Sequence, residues 1–480
     1  MWRALYTFLY LLLLPFALLR QHLRGIREPG YRVDPHGRFG HVVGVPPGGI
    51  WIHAVSAGET IAAVPLVRAL QTMHPNAPLL LTVSTASGRE RARKLLGDDV
   101  QLRWLPWDLP WTMRRFLRAT APSVLVIFET ELWPSLLHEA KRAGVTTLLV
   151  NGRLSARSAA GYGRIGGLTR QMLGALDVIA CQDADTASRM LRLGADPVRV
   201  VVTGSIKFDL DMPPDIAERI EAARALAGAG ASRILVAAST HDNEEARILM
   251  ALRPLLMAHP DWRLVLVPRH PDRFDAVWAL CSNSGLRAAR WTNGPAPADT
   301  QVVLGDVMGE LLAIYGIADV AFVGGSLVER GGHNPIEPAA HGVPVLTGPH
   351  TVNFETIMGT FLEARAVTVV VGARALAEQT EELFTSDAER ARRGAAARDV
   401  VTKERGALDG IAGLASDCFT LHAVGKVLDM TRVPDATRGL TGAGTIGFSG
   451  AGVDVGAVAA LPDSGSGAEE RSGGSSTGGG

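Results

Sequence analysis

Short apolar runs alternate with helical stretches along most of the chain. From residue 50 onward, each run is followed by polar or glycine-rich residues and then by a segment with helical periodicity. Runs this apolar are typical of strands that are buried on both faces of a parallel sheet. The predicted strands cover 50–55, 79–84, 124–128, 148–150, 178–180, 200–203, 234–238, 264–267, 302–304, 320–323, 343–346 and 367–371. The alternation predicts an α/β protein with two doubly wound, Rossmann-like domains.

One interruption of this alternation divides the chain into domains. The stretch 209–214 carries two prolines and two aspartates, so we assign 209–232 to a linker and a helix. The N-terminal domain is expected at 33–208 and the C-terminal domain at 233–425. The segment 431–480 is rich in Gly and Ser and cannot bury enough apolar surface to fold, so it is predicted to be a disordered tail.

The N-terminal segment 1–32 differs from the rest of the chain. Residues 4–19 are largely apolar but fall short of the roughly 20 residues that a straight spanning helix needs, and Pro15 is expected to kink them. A cleaved signal peptide would carry its positive charge before the apolar segment and a small-residue cleavage site after it. A buried core helix would not explain the tyrosines and arginines. We therefore expect a membrane anchor, spanning or interfacial, with the body on the cytoplasmic side. The arginines that follow the apolar segment are Arg20, Arg24, Arg27 and Arg32.

The stretch 320–346 combines a strand, a glycine loop, a helix start and a second strand. Gly324 ends the first strand, and Asn334-Pro335 predicts a helix start, because Asn caps helices and Pro suits their first position. The exposed amides of such a loop could hold a phosphate, and Glu337 could accept hydrogen bonds from ribose hydroxyls. The alternative is an ordinary strand-to-helix loop that uses glycine for backbone freedom.

Polar side chains gather after the strands of both halves, at the sheet edge where open α/β proteins bind ligands. Two domains that face each other across a cleft can bind a donor on one side and an acceptor on the other, which indicates a two-substrate transferase. The N-terminal half offers Ser56, Glu59, Glu129, Glu131, Asn151, Arg153, Ser155 and Lys207. The C-terminal half offers Ser239, Thr240, His241, Arg269, His270, Asp306, Gly309, Glu310, Ser326, Asn334 and Glu337.

Several of these residues also have purely structural interpretations. Glu59 follows a glycine at a strand-to-helix turn, where an acid stabilises the helix by about 0.3–1 kcal/mol, or it could act as a base. Glu129 follows a buried strand and could be a loop acid. Lys207 and Arg269 could be surface charges, or cations that meet an anionic donor in the cleft.

Charge and cysteine content exclude several classes of protein. The chain has 48 basic and 48 acidic residues, so its net charge of zero gives no bias toward nucleic acid. The three cysteines are far apart, which argues for reduced thiols and against a structural zinc site. Neither a dinucleotide fingerprint nor a P-loop nor a nucleophile elbow occurs in context. Three histidines lack metal-ligand spacing and are expected to form hydrogen bonds, so no metal is predicted: His241, His270 and His333.

A series of longer motifs resembles one enzyme family. These motifs are, in chain order, HAVSAGET, FETELWP, NGRLSARS, GSIKFD, VPRHPDRF, GDVMGEL, FVGGSLVERGGHNPIEPAAHG and GPHTVNF. Their sequence and order are similar to those of the transferases for 3-deoxy-D-manno-octulosonic acid (Kdo) in lipopolysaccharide synthesis. The resemblance runs from the N-terminal anchor to about residue 421, and the tail after about residue 433 departs from it.

The resemblance implies a GT-B glycosyltransferase fold and an inverting transfer without a metal or another cofactor. It implies CMP-Kdo as donor, a lipid A precursor as acceptor on the inner membrane, and an acceptor site in the N-terminal domain. Glu59 matches the position of the general base, and Glu129 and Lys207 match residues that stabilise the transition state. The CMP site is expected to comprise Pro268, Arg269, Gly309, Glu310, Leu311, Asn334, Pro335, Ile336 and Glu337.

Two other functions are considered beside this one. A sugar-nucleotide epimerase of similar two-domain build would need neither an acceptor site nor an anchor. A catalytically inactive, membrane-tethered binding protein would keep the cleft but not the chemistry. If Glu59 and Arg269 face one cleft, that arrangement favours the transferase over both alternatives.

Overall fold

A seven-stranded parallel sheet forms the first domain. The computed structural model describes residues 2–228, 233–425 and Met430, so the predicted tail at 431–480 lies outside the described residues. The strands are β1 (Ile50–His53), β2 (Leu79–Val83), β3 (Gln101–Trp104), β4 (Val124–Phe128), β5 (Thr146–Gly152), β6 (Val178–Cys181) and β7 (Val200–Val202). Their order in the sheet is β3-β2-β1-β4-β5-β6-β7, and every pair is parallel.

Helices cover both faces of this sheet. Ile50 and Ile52 lie in one apolar core, whereas Trp51 between them lies in a second core on the opposite face. This burial on both faces explains why the strands are apolar at consecutive positions. The helices of this part are α1 (Trp2–Arg27), α2 (Ala57–Met73), α3 (Ala86–Leu96), α4 (Pro110–Thr120), α5 (Pro134–Arg142), α6 (Ala156–Arg164), α7 (Gly166–Leu173) and α8 (Ala184–Arg192).

The second domain repeats this architecture with another seven-stranded parallel sheet. Its strands are β8 (Arg233–Thr240), β9 (Trp262–Pro268), β10 (Ala288–Arg290), β11 (Val302–Leu304), β12 (Val320–Val323), β13 (Val345–Thr347) and β14 (Val367–Val369). Their order is β10-β11-β9-β8-β12-β13-β14. The remaining helices are α9 (Ile216–Ala227), α10 (Glu244–Ala258), α11 (Phe274–Ser282), α12 (Leu311–Gly316), α13 (Ile336–Ala340), α14 (Glu355–Glu363), α15 (Ala373–Thr385), α16 (Asp387–Lys403) and α17 (Ala407–Ala423).

The predicted pair of doubly wound, Rossmann-like domains is confirmed. Two edge strands, β3 and β10, were not predicted. In β3 buried positions alternate with half-buried ones, and in β10 all three residues are half-buried. Strands at a sheet edge are not covered on both faces, so they lack the continuous apolar run that marks the central strands.

The last helix, α17, returns to the first domain. Ile411, Leu414 and Cys418 belong to the same apolar core as β1 and β4. The imidazole of His74, at the end of α2, lies 2.8 Å from Ser416 Oγ. The expected second domain at 233–425 therefore includes a helix that packs on the other sheet.

Helix α1 packs one face on the first domain and leaves the other face exposed. It is a single helix of 26 residues that continues through Pro15, and it is long and apolar enough to cross a membrane. Trp2 lies against Gly167 in α7, and Tyr10 Oη accepts a hydrogen bond from the amide of Asp108 at 3.2 Å. Several large apolar side chains on the other face are exposed, among them Phe8, Leu12, Leu13 and Phe16.

Candidate active site

The first sheet reverses its strand order between β1 and β4, and two predicted site residues follow these strands. Neighbouring β1 and β4 pair directly, and the chain leaves them in opposite directions along the sheet. Ligands of doubly wound sheets bind in the crevice at such a switch point. Glu59 lies in the first turn of the helix after β1, and Glu129 follows β4 directly.

Ser56 caps the start of α2, and the Glu59 carboxylate bonds back to the Ser56 hydroxyl and to the residue before it, in a variant of the capping box. Ser56 Oγ accepts a hydrogen bond from the amide of Glu59 at 3.3 Å and donates one to Glu59 Oε1 at 2.8 Å. Glu59 Oε2 accepts from the amide of Val55 at 2.7 Å. Each carboxylate oxygen keeps a further lone pair, so the structural role of a helix-start acid leaves the half-buried Glu59 able to accept a proton.

Glu129 adopts a backbone conformation that is uncommon for a residue with a side chain. Its φ of 59° lies in the left-handed region, and strain of this kind is often stored at functional sites. Glu129 Oε1 lies 3.9 Å from Lys207 Nζ. Burial raises the pKa of Glu129, the Lys207 charge opposes that shift, and the Glu59 charge adds to it. The three residues that the family resemblance assigns to catalysis are therefore close together.

A third carboxylate, Glu131, belongs to this cluster. Its sequence position predicts a place at the sheet edge but no role; the signal is a second acid two positions after Glu129, which itself follows a buried strand. Burial raises the pKa of Glu131 to about 7, and the neighbouring charges of Glu59 and Glu129 act in the same direction. The indole N–H of Trp133 donates to Glu131 Oε2 at 3.0 Å and partly offsets the shift. A carboxyl group with such a pKa can exchange a proton near neutral pH.

The second sheet has its switch point between β8 and β12, and two histidines meet there. Nε2 of His241 and Nε2 of His333 are 2.9 Å apart, and their rings stack with centroids 5.1 Å apart. Burial, followed by the charge of Arg269, lowers the pKa of His333 to about 4. A Cβ at Gly325, whose φ is 66°, would lie 2.9 Å from the His333 ring, so only glycine fits there. The predicted hydrogen-bonding role of these two histidines is confirmed.

The glycine loop after β12 does not offer free amides to a phosphate. The fully buried carboxylate of Glu244, at the start of α10, accepts hydrogen bonds from the amides of Gly325 at 2.6 Å, Ser326 at 3.0 Å and Leu327 at 2.9 Å. The expectation that these amides hold a phosphate is therefore wrong for this loop. Because the Glu244 carboxylate already binds these three amides, they are not available to a donor phosphate.

Arg269 and Glu337 lie at the same edge of the second sheet. Arg269 follows Pro268, the last residue of β9, and its side chain is exposed. Burial raises the pKa of Glu337, whereas its hydrogen bond from Asn334 Nδ2 at 3.2 Å and the Arg269 charge lower it. Asn334 Oδ1 also accepts from the amide of Ile336 at 3.1 Å, which confirms the predicted helix start to within one residue.

The remaining residues of the predicted CMP site form a turn before α12. Gly309 has a φ of 86°, and its carbonyl accepts a hydrogen bond from Arg219 Nη2 at 2.8 Å. The same guanidinium forms an ion pair with Glu310 at 3.1 Å, and Leu311 is the first helical residue. Pairing with Arg219 of α9 fixes this turn beside the helix that connects the two domains.

Three polar residues that the sequence placed at the cleft have structural roles instead. Asn151 is fully buried, and its Oδ1 accepts a hydrogen bond from the amide of Ile206 at 3.2 Å. Asp306 is buried and accepts from Arg290 Nε at 2.7 Å. Ser326 is fully buried in the glycine loop. Position after a strand does not distinguish such residues from those that can reach a ligand.

The two domains meet close to the carboxylate cluster. Arg153 Nη2 donates to the carbonyl of Val352 in the second domain at 3.4 Å. The ammonium of Lys207 lies 5.6 Å from the centroid of the Phe354 ring. A cleft between the domains has walls from both, including Arg153, Ser155, Phe208, Glu355 and Lys403.

The described side chains do not form a metal site. Within 2–228 and 233–425, no three His, Cys, Asp or Glu side chains are arranged to hold a metal ion. Lys207 in the first domain and Arg269 in the second are among the cations that lie near the two switch points and can meet an anionic substrate.

Comparison with known proteins identifies the family. The family model of the 3-deoxy-D-manno-octulosonic-acid transferases matches residues 33–210. A 3-deoxy-D-manno-octulosonic acid transferase from Haemophilus influenzae is 41% identical over 419 residues, which cover 86% of this chain and 98% of that protein. The enzyme of the same name from Bordetella pertussis is 37% identical over 424 residues, 85% of this chain and 97% of that protein.

Similarity to solved structures supports the fold. The structure of a UDP-GlcNAc 2-epimerase from Neisseria meningitidis bound to UDP-GlcNAc has a TM-score of 0.53 and 12% sequence identity, covering 79% of this chain and all of that one. At this identity the likeness concerns the two-domain architecture alone, which is the GT-B architecture that the motifs implied. Sequence identity over nearly the whole length of the transferases decides the family: the chain is a glycosyltransferase and belongs to the 3-deoxy-D-manno-octulosonic acid transferases.

Proposed function

We propose that the protein transfers Kdo from CMP-Kdo to a hydroxyl group of a lipid A precursor, with inversion at the anomeric carbon. The acceptor oxygen forms a bond to that carbon while the bond from the carbon to the donor phosphate oxygen breaks. The proton of the hydroxyl moves to Glu59. The phosphate keeps the electron pair of the broken bond and leaves as CMP.

The observation that carries this proposal is the cluster of Glu59, Glu129 and Lys207 at the switch point of the first sheet. A carboxylate base typically contributes a factor of about 10²–10⁴ to the rate of such a step. Lys207 lies beside the second domain, where a cation can stabilise the negative charge that develops on the leaving phosphate.

The donor is assigned to the edge of the second sheet. Glu244 occupies the glycine-loop amides, so the charge of CMP-Kdo is met there by Arg269. The pKa of His333 is lowered to about 4, so this imidazole is neutral near pH 7 and can offer hydrogen bonds but no charge. Glu337 has acceptor oxygens suited to ribose hydroxyls, and the turn at Gly309 adds backbone groups. No step of this scheme requires a metal ion.

Helix α1 supports a lipid acceptor. Its exposed face is apolar, and its last turns carry Arg20, Arg24 and Arg27. Basic residues near an anionic membrane surface contribute roughly 1 kcal/mol each to binding. We place the protein on the inner membrane, with α1 as its anchor and the catalytic body on the cytoplasmic side.

Transfer is tested by incubating the purified full-length protein with CMP-Kdo, with and without the lipid precursor. We expect CMP release that depends on the acceptor and a lipid product heavier by one or more Kdo residues in mass spectrometry. An epimerase would instead convert its sugar nucleotide without an acceptor, and a binding protein would release no CMP; either result would refute the proposal.

A further inference from the structure

A second pocket lies between α1 and the first domain, and two of its lining residues are linked to the carboxylate cluster. Its walls include Arg20 and Arg24 from α1, Ser84 after β2, and the side chains of Trp107 and Trp133. Two contacts connect this pocket to the catalytic cluster. The amide of Ser84 donates to the carbonyl of the same Val55 whose amide binds Glu59, and Trp133 donates to Glu131.

Two N–H donors of this pocket are buried without an acceptor. Arg38 is 7% exposed; its Nη1 donates to the carbonyl of Leu105 at 3.2 Å and its Nη2 to that of Ser84 at 2.7 Å. For Arg38 Nε and Trp107 Nε1, the described part of the chain supplies no acceptor. A buried donor left unpaired costs about 1–3 kcal/mol, so two of them in one pocket require acceptors from outside the described chain, which a bound ligand or water can supply.

Positive charge in the pocket is not balanced by the nearby carboxylate. Arg38 lies 4.2 Å from the centroid of the Trp104 ring, and burial together with the charge of Arg89 lowers its pKa. Asp108 lines the same pocket, but its carboxylate accepts hydrogen bonds from the amides of Ser135 and Leu136 at 2.9 and 2.8 Å. A buried guanidinium whose neighbours are aromatic rings and a second guanidinium favours binding of an anion.

We propose that this pocket binds a phosphate group of the acceptor lipid. Arg38 Nε and Trp107 Nε1 donate hydrogen bonds to its oxygens, and Arg20 and Arg24 supply charge from α1. A phosphate offers enough acceptor oxygens for these converging donors. A lipid is favoured over free phosphate because the helix that carries the two arginines also exposes an apolar face, on which Phe16 is 69% exposed.

The proposal rests on the proposed function for the nature of the acceptor, and it adds where that acceptor is held. A lipid bound here by its phosphate lies beside Trp133, which bonds Glu131, and beside Ser84, which is linked to Glu59 through Val55. Anchoring at this point would bring a sugar hydroxyl of the same molecule to the base.

The test is calorimetric titration of the full-length protein with detergent-dispersed acceptor lipid, with its phosphates present or enzymatically removed. Wild-type protein should bind the phosphorylated lipid at least tenfold more tightly, as expected for hydrogen bonds to a charged group. Trp107→Phe, and the double variant Arg20→Gln with Arg24→Gln, should lose most of this preference. Arg27→Gln, on the same helix but outside the pocket, should keep it.

Three results would overturn the proposal. One is equal binding of both lipids by the wild-type protein; another is an unchanged preference in both pocket variants. The third is competition by inorganic phosphate as strong as that by the lipid, which would assign the pocket to the free ion. Arg20→Gln with Arg24→Gln changes exposed side chains, so the test does not depend on replacing the buried Arg38. If the binding preference holds but no acceptor supports Kdo transfer, the anion site stands and the proposed function fails.

Discussion

Ser56 Oγ and Glu59 Oε1 lie 2.8 Å apart, so the residue assigned as the base is bonded to the N-cap of the helix that carries it. This relationship fixes the carboxylate at the switch point of the first sheet without a further partner from another element. It also means that a substitution at this position has to preserve the cap if its effect on chemistry is to be measured separately.

Glu59→Gln should abolish most of the transfer while the protein stays folded. Glutamine can occupy the same position of a capping box, but it cannot take a proton from the acceptor. We expect the turnover rate to fall by about 10²–10⁴ with CMP affinity unchanged, measured by CMP release and calorimetry. The matched control is Glu389→Gln, which changes the equivalent residue after the Ser386 cap of α16 and should leave turnover intact. Turnover close to wild type in Glu59→Gln would contradict the assignment.

Glu131 should make the free energy of unfolding fall as pH rises from about 4.5 to about 7. Its pKa in the folded protein is about 7, against an ordinary value of 4.5, so the folded state binds more protons than the unfolded state in this window. Glu131→Gln removes this titration. The stability of the variant relative to wild type should therefore increase with pH across the window and level off above it, as measured by denaturant unfolding. A difference that stays constant with pH would show that Glu131 is not the group responsible.

Arg269→Ala and Glu337→Ala should weaken CMP binding. Arg269 supplies charge at the edge of the second sheet, and loss of a hydrogen bond to a charged group typically costs about 1.5–3 kcal/mol, which is roughly tenfold or more in affinity. Calorimetry with CMP measures this; the control, Arg287→Ala, removes an arginine elsewhere in the same domain, where it pairs with Asp299. Unchanged affinity in both site variants would place the donor elsewhere.

Chelation should leave transfer intact. Arg269 and Lys207 can balance the charge of the donor, and within the described ranges the acidic, histidine and cysteine side chains form no group suited to a metal. Rates before and after treatment with EDTA should agree. Complete loss of activity that a divalent cation restores would show that a metal takes part.

The exposed face of α1 should control membrane partition without affecting the fold. Deletion of α1 would also remove the contacts of Trp2 and Tyr10 with the body, so substitution is the sharper test. Leu12→Glu with Phe16→Glu should reduce sedimentation with anionic vesicles, and transfer to a bilayer acceptor should fall more than transfer to a detergent-dispersed one. The control, Val371→Glu, changes an exposed apolar residue of the second domain. Equal losses with both acceptors would mean that α1 serves the structure rather than the membrane.

Much of the fold could be predicted because central parallel strands are buried on both faces and appear as short apolar runs. The edge strands β3 and β10 were not predicted, because their side chains are only partly buried and their sequences lack such an apolar run. The packing of α17 on the first sheet could not be predicted. An apolar helical pattern shows that one face of a helix is buried but not which sheet it packs against. The stretch assigned to the linker, 209–214, lies between β7 of the first sheet and α9.

The candidate site was predictable where one motif contains both partners and not where distant elements meet. Glu59 with Ser56, and Asn334 with Glu337, lie within one turn of each other and could be found from spacing. The occupation of the glycine loop by Glu244 joins residues about 80 positions apart, so the loop looked like an open phosphate site. The unpaired donor of Arg38 likewise has no signature in the local sequence, because burial and missing acceptors are properties of the folded chain.

The return of α17 to the first sheet has a consequence for biosynthesis. Ile411, Leu414 and Cys418 complete a core whose other members are translated before the second domain begins. At about 5–20 residues per second, the roughly 200 residues between β7 and α17 take about 10–40 s to synthesise. During that interval the second domain can fold as a continuous unit, whereas the first domain has an uncovered apolar surface on the emerging chain. Nascent chains released before residue 407 would keep that surface exposed, which makes them natural substrates for chaperones and proteases.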